Sequence, residues 1–331
     1  MSALVQKKPR RFSWRNVLLS LVCVGLILAG LFVYNPFWIV NRSTDLYLRI
    51  AGVKQRDVTV DGNRIHYLEA GGQTGQDKPL LLIHGLGGRG TNWVTMIPQL
   101  VHSGFHVYAI DLLGYGASDK PMDGDFTLSG EERTVLGMMD ALHIAQPDVA
   151  GWSMGGWIAT KLALDHPDRV RRLLLYDSAG MYVQMDFPTT LFTPTDRAGL
   201  EQLVAMIEPN QQSLRVPGIA VSGMLRRFRE SRHIVEGSLS SMFNGREILD
   251  FRVRGLKLPV LMVWGAEDKL TPMSSGLRMH ELVPQSVFVG IAGCGHLAAA
   301  ECSSQVLGPT IEFLQADPPL PGSTTMLPLK K

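Results

Sequence analysis

The sequence DVAGWSMGGWIA at residues 148–159 joins a short apolar run to a helix-like run. Within it, residues 151–155 form the pattern G-x-S-x-G, which is a weak signal when it stands alone. Its setting is more specific, because flanking glycines let a strand turn sharply into a helix and hold the central serine at the top of a sheet in strained geometry. The stretch therefore predicts that Ser153 presents its Oγ at the end of a strand.

Short apolar runs alternate with helical patterns on both sides of this stretch. They occupy residues 80–83, 107–110, 149–150, 173–176, 260–263 and 287–291. Such alternation indicates βαβ units in a mostly parallel sheet, with functional residues at the carboxyl ends of the strands. Upstream, Asp61-Gly62-Asn63 separates two shorter runs and predicts an antiparallel hairpin. We therefore predict an α/β fold with a mostly parallel central sheet.

The strand pattern stops between Met181 and Lys257. Helix-like pieces at residues 196–207 and 219–229 alternate there with prolines and glycine. The apolar side chains of this region could form a satellite core or line an apolar pocket. We interpret residues 181–257 as an inserted helical lid.

The lid divides the remaining chain into further predicted segments. The α/β core takes residues 41–180 as its first part and residues 258–316 as its second part. The tail at residues 317–331 is rich in Pro, Gly, Ser and Thr, and we predict that it is flexible.

For the N-terminal region we predict a basic tail at residues 1–16 followed by a transmembrane anchor at residues 17–40. Residues 17–34 carry no charge and as a helix would span roughly 27 Å. A cleaved signal peptide is the alternative, but the run is long for one and lacks a small-residue cleavage site. The basic residues before the span predict a cytoplasmic N-terminus and a catalytic domain on the opposite side, the periplasmic face in a bacterium.

The charge balance bears on one class of partner, and the cysteines limit the possible disulfides. The net charge is +2, yet five basic residues lie within the first fifteen, so subtracting them leaves −3 on the rest. That balance does not indicate a nucleic-acid partner. Three cysteines give no disulfide framework, and since Cys23 falls in the apolar run, Cys294 and Cys302 are the one possible pair.

Two downstream residues can activate Ser153. A serine hydroxyl needs a histidine to take its proton, and the histidine needs a carboxylate to fix its tautomer. Asp268 follows the run at 260–263, and His296 follows the run at 287–291. We predict a catalytic triad of Ser153, Asp268 and His296; Asp177 after the run at 173–176 is the alternative position for the acid.

The oxyanion formed by attack on a carbonyl needs backbone donors. We assign the N–H of Met154, directly after the nucleophile, and the N–H of Leu86 in the loop His84-Gly85-Leu86-Gly87-Gly88. His84 is interpreted as a structural residue of that loop. We name as candidate substrate contacts Trp152, Met181 and Phe187.

The chain resembles the α/β-hydrolase superfamily over residues 58–314, because it contains four of the superfamily's sequence elements in the expected order. They are HGLGG at His84, DLLGYGASDKP at Asp111, GWSMGG at Gly151, and WGAEDKLTP at Trp264 leading to GCGH at Gly293. Residues 111–121 and 176–180 look most like bacterial family V lipases and membrane-anchored monoacylglycerol lipases. The resemblance implies hydrolysis of carboxylic esters through an acyl-enzyme, without metal or cofactor, on a lipid or another apolar ester.

Three hypotheses about function follow. The first is a membrane-anchored serine esterase or lipase that acts on monoacylglycerol-like or medium-chain esters. The second is a hydrolase of carbon–carbon bonds in ring-cleavage products or a cofactor-free perhydrolase, since these enzymes use the same triad. The third is a non-catalytic binding module, which predicts the loss of a triad member.

Overall fold

The computed structural model describes residues 14–34, 36–72, 77–208 and 218–328. Most of the predicted basic tail therefore lies outside the described residues, as do the lid prolines at positions 209 and 217. Nine strands occur in the described ranges: β1 Lys54–Val60, β2 Asn63–Ala70, β3 Lys78–Ile83, β4 Phe105–Ile110, β5 Asp148–Trp152, β6 Arg172–Tyr176, β7 Val260–Gly265, β8 Val287–Ile291 and β9 Ser323–Leu327.

Helices connect and cover these strands. Their bounds are α1 Trp14–Tyr34, α2 Pro36–Ile50, α3 Ile97–His102, α4 Leu128–Ala141, α5 Met154–Asp165, α6 Arg197–Ile207, α7 Gly218–Glu230, α8 Arg232–Phe243, α9 Met273–Leu282, α10 Ala298–Glu301 and α11 Ser303–Gln315.

All nine described strands pair in one sheet, in the order β1-β2-β4-β3-β5-β6-β7-β8-β9. The pairs β1–β2 and β2–β4 are antiparallel, and every other pair is parallel. The first pair closes through Asp61 and Gly62, whose positive φ angles of 48° and 81° suit a two-residue hairpin turn. The architecture is the α/β arrangement that the alternating runs predict.

The sheet is buried on both faces, as a parallel sheet covered by helices must be. Alternate residues of β3 show this directly, because Leu81 and Ile83 join one core cluster while Leu80 and Leu82 join the other. Helices α4 and α5 contribute to the first cluster, and α3 and α11 contribute to the second. Because β5, β6, β7 and β8 are parallel, their carboxyl ends lie at the same edge of the sheet.

The predicted anchor at residues 17–40 is distributed over two helices, α1 and α2. Among helices in the described ranges, none combines the length and the hydropathy that a membrane crossing requires. The transmembrane helix is therefore not confirmed.

The chain between β6 and β7 contains α6, α7 and α8, which agrees with a helical insertion. Helix α8 places Ile234 and Val235 in the main core, whereas α6 and α7 form a small cluster of their own around Leu200 and Val221. The sequence did not predict α8 as a separate helix.

The prediction of a flexible tail was wrong for part of residues 317–331. Ser323–Leu327 forms β9, which pairs in parallel with β8 at the edge of the sheet. Its side chains are mostly exposed, so backbone hydrogen bonds to β8 hold it in place. Composition alone could not reveal the free edge that accepts this strand.

Candidate active site

Ser153 lies at the sharp turn between β5 and α5. Its φ of 55° and ψ of −120° fall in a region that residues other than glycine rarely adopt. The turn is tight because Gly151 and Gly155 pack against each other: a Cβ added to Gly151 would lie 2.2 Å from the carbonyl oxygen of Gly155. The strained serine is therefore imposed by the surrounding backbone.

The three residues proposed from the sequence as a triad lie in one hydrogen-bonded line. Ser153 Oγ is 2.9 Å from His296 Nε2, and His296 Nδ1 is 2.8 Å from Asp268 Oδ2. Asp268 and His296 are buried, and Ser153 lies in the wall of a cavity. The geometry lets Ser153 donate its proton to Nε2 while the Nδ1–H donates to Asp268.

Asp268 has further partners that the sequence analysis missed. The backbone N–H groups of Leu270 and Thr271 donate to its Oδ1, at 2.8 and 3.0 Å. The Thr271 hydroxyl lies 2.7 Å from Asp268 Oδ2 and 3.1 Å from His296 Nδ1. These donors fix the carboxylate facing the imidazole. An Asp followed by Thr three residues later was the available signal.

Asp177, the alternative acid, is fully buried and makes different contacts. Its Oδ1 accepts the Gly265 N–H at 2.7 Å, and its Oδ2 accepts the Ala298 N–H at 3.0 Å. Burial and the nearby charge of Asp268 raise the pKa of Asp177 well above its usual value. Asp177 thus joins the carboxyl end of β7 to the segment after His296, and its two carboxylate oxygens accept these backbone N–H groups.

The loop after β3 packs directly against the nucleophile. A Cβ on Gly85 would lie 3.0 Å from Ser153 Cβ, so only glycine permits this approach without displacement. His84 Nδ1 donates to the Gly85 carbonyl at 2.7 Å, and its Nε2 accepts the Leu112 N–H at 3.1 Å. Burial lowers the pKa of His84, which keeps the ring neutral in this role.

The two residues predicted as oxyanion donors lie at this turn and in this loop. Met154 begins α5, where the first N–H groups have no intrahelical acceptor and the helix dipole is positive. Leu86 lines the same cavity as Ser153. Both residues named as oxyanion donors therefore lie beside the nucleophile.

A disulfide joins Cys294 and Cys302, with 6.4 Å between the Cα atoms. It encloses His296 and the Ala298 N–H that binds Asp177. This is the cysteine pair that the sequence left open. The crosslink restrains the segment that carries the imidazole.

The cavity above Ser153 has a volume of about 840 Å³. The three candidate substrate contacts all line it: Trp152, Met181 and Phe187. Trp152 has an additional role, because its Nε1–H donates to the His296 carbonyl at 2.7 Å. Lid residues Met224 and Phe228 belong both to the small lid cluster and to the lining. The two interpretations of the apolar lid residues are therefore compatible.

Comparison with known proteins places this arrangement in a family. A family model described as the alpha/beta hydrolase fold matches residues 78–206. The chain is 30% identical over 261 residues to 2-hydroxymuconate semialdehyde hydrolase of Pseudomonas sp. (strain CF600), covering 73% of this chain and 88% of that protein. It is 28% identical over 256 residues to Lipase 1 of Psychrobacter immobilis, covering 72% of this chain and 77% of the lipase.

A solved structure of a membrane phospholipase A, described as a bacterial virulence factor, shares the fold. The TM-score is 0.68 at 24% identity, and the match covers 90% of this chain and 99% of that one. The chain belongs to the α/β-hydrolase fold family. Its relatives divide between lipases and meta-cleavage product hydrolases.

Proposed function

We propose that the protein is a serine hydrolase of carboxylic esters, a lipase or esterase that works through an acyl-enzyme. The observation that carries the proposal is the hydrogen-bonded triad: Ser153 Oγ at the cavity wall lies 2.9 Å from His296 Nε2, and His296 Nδ1 lies 2.8 Å from Asp268 Oδ2 behind it. This is the relay by which a neutral serine becomes a nucleophile.

In the first half-reaction Ser153 Oγ attacks the ester carbonyl and its proton passes to His296 Nε2. Asp268 stabilises the imidazolium through the Nδ1–H, and the N–H groups of Leu86 and Met154 stabilise the oxyanion. His296 then gives the proton to the departing alcohol, which leaves the acyl group on Ser153. Water attacks the acyl-enzyme with His296 again as base, and the acid is released.

The lining of the cavity supports an apolar acyl group as the substrate. Met181, Phe187, Phe192 and Ile207 lie along it, and its volume falls within the range of pockets for small ligands. One of the relatives is a lipase, which supports an apolar ester as the substrate. We propose monoacylglycerols or medium-chain esters as the substrate class, with Trp152 orienting His296 as well as contacting substrate.

The test is a panel of p-nitrophenyl esters of increasing chain length, together with monoacylglycerol, on wild type and Ser153→Ala. We expect the variant to lose on the order of 10⁴-fold or more in kcat while it keeps its thermal midpoint. A fluorophosphonate probe should label Ser153 in wild type alone. Absence of ester turnover in labelled wild type, or full turnover in Ser153→Ala, would overturn the proposal.

A hydrolase of carbon–carbon bonds is the second candidate, because the 30% identical relative is 2-hydroxymuconate semialdehyde hydrolase. The same serine and histidine serve that reaction. The discriminating measurement compares kcat/KM for 2-hydroxymuconate semialdehyde with kcat/KM for the best ester of the panel. A larger value for the semialdehyde would assign the protein to this second class.

We also propose that the N-terminal region anchors the catalytic domain to a membrane, with the N-terminus cytoplasmic. The support is the uncharged run of residues 17–34 behind a basic tail. The side chains of α1 that the structure describes add to it, since Leu18, Leu21 and Val24 are exposed. The disulfide of the catalytic domain fits an oxidising compartment.

Protease treatment of sealed vesicles tests this orientation. We expect the catalytic domain to resist protease added on the cytoplasmic side and to be digested once detergent opens the vesicles. Carbonate extraction should leave the full chain in the pellet. Digestion from the cytoplasmic side, or complete release by carbonate, would refute the anchor as proposed.

A further inference from the structure

Asp177 has a backbone conformation that few residues other than glycine adopt. Its φ is 44°, and among the non-glycine residues that the structure describes, Asp61, His143 and Ser153 are the others with a positive φ. Asp61 and His143 are exposed, whereas Asp177 is fully buried. A strained conformation persists where the surroundings enforce it, and such positions cluster at functional sites. The buried Asp177 therefore calls for a reason beyond the turning of the chain.

The polar groups of Asp177 all find partners within a small volume. Its N–H donates to the Val263 carbonyl at 3.0 Å, and its carbonyl lies 3.0 Å from the Thr271 hydroxyl. The carboxylate accepts the N–H groups of Gly265 and Ala298, at 2.7 and 3.0 Å. These partners belong to β7, to the loop after it and to the start of α10. Asp177 thus ties the end of β6 to two neighbouring segments at once.

The two segments that the Asp177 carboxylate joins carry the acid and the base of the triad. Gly265 lies three positions before Asp268, and its carbonyl accepts the Asp268 N–H at 3.3 Å. Ala298 lies two positions after His296, as the first residue of α10. One side chain therefore holds both the start of the turn that carries the acid and the end of the segment that carries the base.

The segment of His296 is consequently fastened to the loop of the acid on both sides of the imidazole. Before His296, the Glu267 N–H donates to the Cys294 carbonyl at 2.8 Å. After it, the Ala298 N–H donates to the buried carboxylate. The 2.8 Å contact between the imidazole Nδ1 and the acid depends on how these segments are placed, and hydrogen bonds weaken steeply as their geometry deteriorates.

We propose that Asp177 is a positioning residue of the triad, which sets the placement of Asp268 relative to His296 by holding the backbone that carries each of them. The inference rests on the proposed ester hydrolysis and adds a residue that acts through others, since the described lining of the cavity does not include Asp177. Both of its carboxylate oxygens accept backbone N–H groups, which is a different task from that of the acid facing the imidazole.

An asparagine at this position separates positioning from the filling of space. The site offers two N–H donors, and a carboxylate meets them with two acceptor oxygens. An amide has one oxygen and an NH₂ group that donates. Asp177→Asn therefore keeps the shape of the side chain, satisfies one of the two donors and sets a donor against the other.

We expect Asp177→Asn to lower kcat for p-nitrophenyl butyrate about tenfold or more, with a change in KM of about twofold or less, since Asp177 does not line the cavity. The acid limb of the kcat/KM profile should move to lower pH, because a carboxylate displaced from Nδ1 stabilises the imidazolium less. The downfield proton NMR signal of the His296 Nδ1–H should shift or broaden as its hydrogen bond weakens.

The matched control is Asp148→Asn, at another fully buried aspartate. Asp148 begins β5, at the end of the sheet opposite Ser153, and pairs with Arg171. This variant should lower the thermal midpoint and yet keep the wild-type kcat, acid limb and NMR signal. Asp177→Ser, whose hydroxyl can accept one N–H, replaces Asp177→Asn in these measurements if circular dichroism shows that Asp177→Asn does not fold.

Wild-type kcat and an unmoved acid limb in the folded Asp177 variant would overturn the positioning role, as would changes of equal size in Asp148→Asn. If neither Asp177→Asn nor Asp177→Ser folds, Asp177 is a determinant of folding and the positioning role is rejected. Ester turnover by wild type and its loss in Ser153→Ala test hydrolysis separately, so failure of this inference and failure of the proposed function are distinguishable.

Discussion

The turn that carries Ser153 and the lid above it are built by different physical means. At the turn, main-chain groups pack so closely that Gly151 and Gly155 have no room for a side chain. In the lid, α6 and α7 share a small cluster around Leu200 and Val221, and further apolar side chains face an open cavity. Backbone contacts resist change, whereas side chains beside a cavity can be exchanged at modest cost.

This difference implies that chemistry and specificity reside in separate parts of the molecule. The strands position Ser153, Asp268 and His296 through turns at their carboxyl ends. The lid supplies Phe187 and Arg227 to the cavity wall. Substitutions at the turn should therefore affect stability and catalysis together, whereas substitutions in the lid should change which ester is preferred.

The largest effect is expected from Gly155→Ala. The new Cβ would lie 2.4 Å from the carbonyl oxygens of both Ile83 and His84, and backbone cannot move aside as a side chain can. We expect the free energy of unfolding to fall by about 3 kcal/mol or more in urea denaturation. The control is Gly237→Ala in lid helix α8, where the nearest atom is 3.4 Å away; it should gain up to about 1 kcal/mol. Equal urea denaturation midpoints for Gly155→Ala and Gly237→Ala would contradict the expected difference between the turn and the lid.

The next effect is expected from Thr271→Val, which keeps the shape and removes the hydroxyl 2.7 Å from Asp268 Oδ2. The carboxylate loses a donor that fixes its orientation toward His296, so kcat for a p-nitrophenyl ester should fall about tenfold with little change in KM. Thr193→Val, at another buried threonine in the lid segment, serves as the control. If both variants keep wild-type kcat, the hydroxyl has no positioning role.

A smaller effect is expected from Phe187→Ala in the lid. Phe187 lines the cavity and packs edge to face against Phe192, with 6.0 Å between ring centroids. Removing the ring enlarges the cavity, so the ratio of kcat/KM for dodecanoate over butyrate esters should rise about 3- to 10-fold. Phe251→Ala, at a side chain that is 93% exposed, should leave the ratio as it is. A shift of equal size in both variants would show that the cavity wall does not select chain length.

The last prediction concerns pH and Glu301, which lies within the disulfide-bounded segment that carries His296. Burial, a hydrogen bond with Glu208 and the charge of that residue raise the pKa of Glu301 from 4.5 to about 8. The unfolded chain therefore loses this proton at lower pH than the folded protein does. The contribution of Glu301 to stability is present at low pH, decreases as pH rises from about 4.5 to about 8, and is constant above that.

We accordingly expect the thermal midpoint of wild type to fall between pH 5 and pH 8 by more than that of Glu301→Gln. Glu312→Gln, at an exposed position on α11, should follow wild type. Parallel profiles for wild type and Glu301→Gln would show that the pair with Glu208 does not influence folding.

Residue patterns were sufficient to predict the features that depend on interactions between near neighbours in the chain. Short apolar runs located six strands of the sheet, because a strand buried on both faces must be apolar along its length. The turn at Asp61-Gly62 was readable because few residues adopt positive φ angles. The order Ser153, Asp268, His296 named three residues that the fold brings within hydrogen-bond distance.

Contacts between residues far apart in the chain could not be predicted in the same way. β9 depends on the free edge of β8, and the link from Asp177 to Gly265 and Ala298 joins the end of β6, the end of β7 and the start of α10. The disulfide was one possible pair until the fold brought its Cα atoms within 6.4 Å.

The sequence by itself determined the class of fold, the strained turn at Ser153 and the identity of its candidate partners, because strand periodicity and turn chemistry act between near neighbours. Tertiary structure alone decided which donors hold Asp268, which edge of the sheet accepts the tail, and which side chains from remote segments line one cavity. Those outcomes depend on distances between residues remote in the chain, which only the packing of the lid and sheet sets.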